Sequence, residues 1–205
     1  MKTTTEIDPQ LVKQLREKTN AGMMDCKRAL VESGGDLAKA EAILRTKGVA
    51  AADRKAARVT KEGVVASYIH LQGKVGVLVE VNCETDFVAR NENFREFVKD
   101  ITLHIAAAHP LYVSRADVPD NLIEAEREIY KAQAKGKPEN VVEKIVEGKL
   151  DKFFSTVCLL EQGFIKNPDQ TIGDLVKAKI AELGENIVIR RFVRYLVGEP
   201  LASEA

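Results

Sequence analysis

Up to about Lys55 the apolar positions of the chain recur at helical spacing. Asp8 followed by Pro9 predicts an N-cap and a first helical residue, with Leu11, Val12 and Leu15 on one face, and the helix is expected to end near Asn20-Ala21-Gly22. A second helix starts at about Met23, with Met24, Ala29, Leu30 and Val31 as inward positions, and Ser33-Gly34-Gly35 stops it. Asp36 caps a third, in which Leu37, Ala40, Ile43 and Leu44 form the apolar stripe. Three such helices make a compact module with a small core, marginal in isolation. Lys47-Gly48 then leads into an alanine-rich, mixed-charge stretch through Arg58 that reads as a helical extension or a linker.

From Gly63 the period changes to two. Val64 to Leu71 and Val75 to Val81, separated by Gln72-Gly73-Lys74, predict an antiparallel hairpin. Phe94, Phe97, Val98, Ile101, Leu103, Ile105 and Ala108 fit a long helix that must stop before Pro110. Helical patterns follow over 122–134, 138–147, 150–161 and 172–183, and the β-branched run Asn186 to Val197 is expected to rejoin the hairpin as a third strand. The expected fold class is α+β: a three-helix module over 1–55, then a core over 56–205 with a three-stranded antiparallel sheet and helices on one face. The other sheet face is left for a partner.

Between these patterns lies Val81-Asn82-Cys83-Glu84-Thr85-Asp86-Phe87-Val88-Ala89-Arg90-Asn91, where an apolar strand stops abruptly. Phe87 cannot easily be buried without burying the charge of Asp86 beside it. Two readings follow. In one, Thr85 or Asp86 caps a helix and Phe87 staples it to the core; in the other, Phe87 stands out from the surface, ready to enter a pocket on another molecule.

Charge narrows the class of partner. Lys plus Arg and Asp plus Glu are equal at 31 each, so no net field draws a polyanion. A protein partner fits this balance better than nucleic acid or a membrane. The start Met1-Lys2-Thr3-Thr4-Thr5-Glu6 has no apolar signal region, and no apolar run approaches the roughly 18 residues of a spanning helix; a cytoplasmic location is expected. Cys26, Cys83 and Cys158 are odd in number and widely spaced, which suits reduced thiols more than a disulfide frame or a zinc site.

No phosphate-binding, dinucleotide-binding, zinc-protease or serine-hydrolase motif occurs, so neither a conventional active site nor a cofactor is expected. Cys83 and His104 could be cast as nucleophile and base, but they sit on separate elements without an orienting third residue; a buried thiol and a histidine on a helix flank are the plainer reading. Met23-Met24 is either a soft contact surface or core filler. Lys13 with Arg16, and Lys27-Arg28, read as solvated faces. Strand alternation puts Arg190 and Arg194 on one face and Arg191 on the other, so no broad basic stripe results.

Leu15-Arg16-Glu17-Lys18-Thr19 with Ala21-Gly22-Met23-Met24-Asp25-Cys26-Lys27 closely resembles the N-terminal signature of the bacterial elongation factor Ts family. Val79 to Asn91 resembles its second signature, and Gly184-Glu185-Asn186-Ile187 with Arg190-Arg191-Phe192 its C-terminal part, so that the likeness runs from about Leu11 to Gly198. The resemblance implies a guanine nucleotide exchange factor for elongation factor Tu, with an N-terminal domain of ubiquitin-associated (UBA) type and an α+β dimerisation core. The nucleotide would belong to the partner. Arg16, Met23 and Met24 match the residues that grip the partner's GTPase domain; Thr85, Asp86, Phe87 and Val88 match the segment that intrudes near its magnesium site, and none of them is expected to ligate metal. Asn20 stands where the family commonly has glycine, and asparagine tolerates the left-handed turn. Longer members carry a duplicated core and a coiled-coil excursion; this chain resembles the short forms that pair as homodimers, which would cover the open sheet face. The competing class is a non-enzymatic interaction scaffold that uses only the three-helix module.

Overall fold

A computed structural model describes residues 7–19 and 21–200. Asn20 and Met1 to Glu6 lie outside the described residues, and with them the expected turn at Asn20 and the reading of the first six positions.

Helix α1 (Pro9–Thr19) starts where Asp8 directs: its carboxylate accepts the Gln10 N–H at 2.8 Å and its carbonyl accepts those of Leu11 and Val12. Helix α2 (Met23–Ser33) ends on Gly34, whose φ of 68° lets the Gly34 and Gly35 N–H groups turn back to the carbonyls of Val31 and Leu30. Helix α3 (Leu37–Lys55) is capped by Asp36, which accepts the Lys39 N–H at 3.0 Å. The three helices pack pairwise around Val12, Leu15, Cys26, Ala29, Leu30 and Ala40, flanked by Leu37, Ile43 and Leu44. Met24 and Val31 correct the expected inward set, for both are exposed. Cys26, Ala29 and Leu30 make one stripe; Met24 and Val31, seven apart, make another on the opposite side, shared with Lys27 and Arg28.

The stretch after Lys47-Gly48 is helix, not linker, since α3 runs on to Lys55. A Cβ added at Gly48 would meet the Ala181 Cβ at 3.1 Å, and Lys177 pairs with Asp53 at 3.2 Å, so the second half of α3 lies against helix α8 (Ile172–Leu183). Glycine here allows close helix approach and does not end the helix.

Strands β1 (Glu62–His70), β2 (Val75–Cys83) and β5 (Val188–Leu196) form an antiparallel sheet in the order β1-β2-β5. Val75, Val77, Val79, Val81 and Cys83 alternate as the buried face of the central strand. Helix α4 (Asp86–Arg90) and helix α5 (Glu92–Ala108) follow β2; α5 buries Phe94, Phe97, Val98, Ile101 and Ile105 and ends before Pro110.

Helix α6 (Asp120–Gln133) packs on α7 (Glu139–Val157) over a core of Val118, Val146, Leu150, Phe154, Val157 and Cys158. The sequence predicts two helices where α7 is one. Gly148 weakens the turn it occupies by ~1 kcal/mol relative to alanine, but the stripe Val146, Leu150, Phe154, Val157 runs on at helical spacing. Arg115 pins the end of this pair, bound to Glu161 and to Asp151 (2.9 Å) with its guanidinium 4.5 Å from the Phe154 ring centroid. The short hairpin β3 (Gly163–Phe164) and β4 (Asn167–Thr171) has no counterpart in the sequence reading, because Asn167-Pro168-Asp169-Gln170-Thr171 shows no apolar alternation.

These elements fall into two compact units. One holds the described residues to Gly63 with Asn82–Phe94 and Val176–Val188; the other holds Val64–Val81, Arg95–Leu175 and the chain from Ile189. Eight helices and the three-stranded sheet, among the described residues, make the fold α+β.

Candidate functional site

Thr85 is the N-cap of α4: its backbone is extended (φ −128°, ψ 156°) and its side-chain oxygen accepts the Val88 N–H at 3.4 Å. One turn on, Asn91 closes α4 and opens α5, its Oδ1 accepting from Asn93 N (2.8 Å) and Phe94 N (3.4 Å). Ala89 and Phe94 are buried, so the five-residue helix is anchored on one side. Phe87 is on the other side and 82% exposed. The capping residue and the exposed ring therefore coexist: Thr85 caps, and Phe87 is not the staple. Asp86, half-exposed, pairs with Arg90 one turn away at 2.9 Å, and Val88 is partly buried.

The segment that follows α8 holds this cap from 100 residues away. Glu185 Oε2 accepts the N–H groups of Glu84 and Thr85, each at 3.0 Å, and Glu185 Oε1 accepts the Thr85 hydroxyl at 2.6 Å. In return Glu84 Oε1 accepts the Asn186 N–H at 2.6 Å and pairs with Arg58 at 3.4 Å. The Asn186 side chain, 2% exposed, donates to the carbonyls of Ala56 (3.3 Å) and Arg58 (2.9 Å). Sequence reasoning assigns no role to Glu84, Glu185 or Asn186. All three lie in the stretches that carry the family resemblance, which is the signal that could have found them, but their pairing is made only by the fold.

Arg16, Met23 and Met24 are all at the surface of the three-helix bundle, Met23 and Met24 being 58% and 61% exposed. The two methionines are not core filler.

Cys83 and His104 lack the environment of a nucleophile and its base. The Cys83 thiol donates to the Thr85 carbonyl at 3.2 Å, and burial, reinforced by the Glu185 charge, pushes its pKa up to about 11. His104 is buried rather than on a helix flank, with Nε2 3.0 Å from Gln162 Oε1 and Nδ1 accepting the Ile165 N–H at 3.3 Å; burial holds its pKa below the usual value. Arg190 and Arg191 both approach Glu80, at 3.7 and 2.7 Å, while the Arg194 side chain is only 10% exposed and donates to the Ala106 carbonyl at 3.4 Å. The expected alternation is corrected: Arg190 and Arg191 reach the same carboxylate, and it is Arg194 that turns away from them. Among the described residues, no group of three or more His, Cys, Asp or Glu side chains is placed to hold a metal ion, and no helix is long and apolar enough to cross a membrane.

Comparison with known proteins gives these residues a context. The family model described as Elongation factor TS matches residues 10–199. Elongation factor Ts of Carboxydothermus hydrogenoformans is 63% identical over 97% of this chain and 92% of its own length. Those of Thermodesulfovibrio yellowstonii and Geobacter metallireducens are each 60% identical over 94% of this chain and 97% and 90% of theirs. The agreement runs from the first turn of α1 to beyond β5 with near-equal lengths on both sides, and on that ground the chain belongs to the elongation factor Ts family.

Proposed function

We propose that this chain is a guanine nucleotide exchange factor that promotes GDP release from elongation factor Tu by disturbing the partner's magnesium and phosphate site. The observation that carries the reading is the Phe87 ring, exposed on a helix whose cap and flanks are fixed. A ring on a rigid mount loses little freedom when it enters an apolar pocket. Its burial contributes ~1.5–3 kcal/mol, equivalent to a shift of about 10- to 150-fold in an equilibrium. Displacing magnesium from its phosphate oxygens needs more than one ring, and Thr85, Asp86 and Val88 share the contact. The Asp86 carboxylate adds negative charge near the acidic groups and phosphates that hold the metal.

Residues 1–55, as a UBA-like module, grip the partner's GTPase domain through Arg16, Met23 and Met24. Residues 56–205 are the exchange core, with helices on one face of its sheet. The other face exposes Val65, Ile69, Leu78, Val193 and Tyr195, an apolar surface that suits a second copy of the chain as a homodimer. The reading puts the protein in the cytoplasm, with no nucleotide, cofactor or nucleic acid of its own. By reciprocity, GDP weakens the factor's hold on its partner as much as the factor weakens GDP's.

Stopped-flow release of a fluorescent GDP analogue from elongation factor Tu tests this at matched magnesium. Wild type accelerates release, and Phe87→Ala loses most of that gain while still binding. A wild-type protein that binds without accelerating release would instead be an interaction scaffold.

A further inference from the structure

We propose that Glu185 is the positioning residue for Phe87, setting the direction in which the α4 helix presents its ring; the proposal rests on the exchange reading above. A carboxylate only accepts hydrogen bonds. The Thr85 hydroxyl must therefore give its proton to Glu185 Oε1, which leaves its lone pairs to receive the Val88 N–H. One side chain thus chooses the rotor state of the cap and also ties down the two backbone N–H groups that lead into it. The mount is reinforced from the other direction, since Glu84 holds the Asn186 N–H and Arg58. Glu185 is partly buried and follows Gly184, whose φ of 79° turns the chain out of α8 toward the cap.

With Glu185 replaced by alanine, three donors lose their shared acceptor and the cap is held by water. The α4 helix then samples several orientations, and the ring must be ordered at the moment of contact. Glu185 acts through Phe87, so its effect should disappear when the ring is absent, which a merely structural residue would not do.

The test is a double-mutant cycle in the full-length protein. Glu185→Ala is expected to lower the maximal rate of GDP-analogue release by roughly tenfold on the wild-type background and by less than about twofold on Phe87→Ala. Amide hydrogen exchange of the same variant, without partner, should accelerate at Glu84, Thr85 and Val88 while the three-helix bundle is unchanged. Equal losses on both backgrounds, or unaltered exchange at those amides, overturn the proposal. If Glu185→Ala does not fold, Glu185→Gln carries the cycle: with its oxygen kept on the two backbone N–H groups, its NH2 turns onto the Thr85 oxygen and reverses the rotor state of the cap, and a loss of about threefold or more that vanishes on Phe87→Ala supports the proposal, whereas full activity or an equal loss overturns it. Wild-type protein that leaves GDP release unchanged would sink the exchange reading itself, a different outcome that leaves the amide measurement to decide the positioning.

Discussion

Phe87 and Cys83 stand four residues apart and meet opposite fates, which shows how little residue type alone decides. The ring has no intramolecular pocket and is exposed; the thiol is buried at the end of β2, with burial and the neighbouring Glu185 charge raising its pKa to about 11. Cys158 is raised to about 11 as well, by burial and then by Glu161, and Cys26 is fully buried. All three thiols should resist iodoacetamide at pH ~8 in the folded protein and react together once it is denatured, as mass spectrometry would record. His104 supplies a pH dependence. Its folded-state pKa lies below the ordinary 6.5 because burial disfavours the cation, so protonation favours the unfolded chain. Its contribution is fully present above pH ~6.5 and is lost as pH falls through the folded-state value. The urea midpoint should drop as pH falls from about 7 to about 5.5, and His104→Gln should flatten that part of the curve.

Among the elements, helix starts and stops were the most legible features. Asp8, Asp36 and Gly34 act where they are expected to, because caps depend on one or two neighbours. Gly48 left helical extension and linker both open for the complementary reason: what decides is the Ala181 Cβ on α8, more than a hundred residues away. Gly48→Val should lower the thermal midpoint, and adding Ala181→Gly should restore part of it by reopening the space between α3 and α8. Met24 and Val31 looked like core from hydrophobicity alone, whereas their spacing from Cys26, Ala29 and Leu30 puts them on the far side of α2. The β3–β4 hairpin could not be read, since it is held by pairing between Gly163 and Thr171 and not by apolar alternation.

For the molecule as a whole, equal numbers of acidic and basic residues leave apolar surface as the main non-specific attraction, and Val65, Ile69, Leu78, Val193 and Tyr195 of the three-stranded sheet are part of it. Under the proposed pairing of two copies through the open face of that sheet, Ile69→Asp or Tyr195→Asp should lower the sedimentation coefficient to that of a monomer and leave the far-UV circular dichroism unchanged. The candidate site was half legible. Thr85, Asp86, Phe87 and Val88 announced themselves as a break in a strand pattern, while Glu84, Glu185 and Asn186 stood out only as members of signature stretches, their role as a mount hidden because Glu84 and Thr85 meet Glu185 and Asn186 only in the folded chain. That clasp has a bearing on biosynthesis. A ribosome making this chain emits the Phe87 segment long before Glu185, so the nascent protein carries an unmounted ring for roughly 100 further codons, or about 5–20 s at bacterial elongation rates. Through that interval the growing chain has the motif without its mount, and the fixed ring that the proposed exchange calls for arrives only once Glu185 has been made and has folded back onto Thr85.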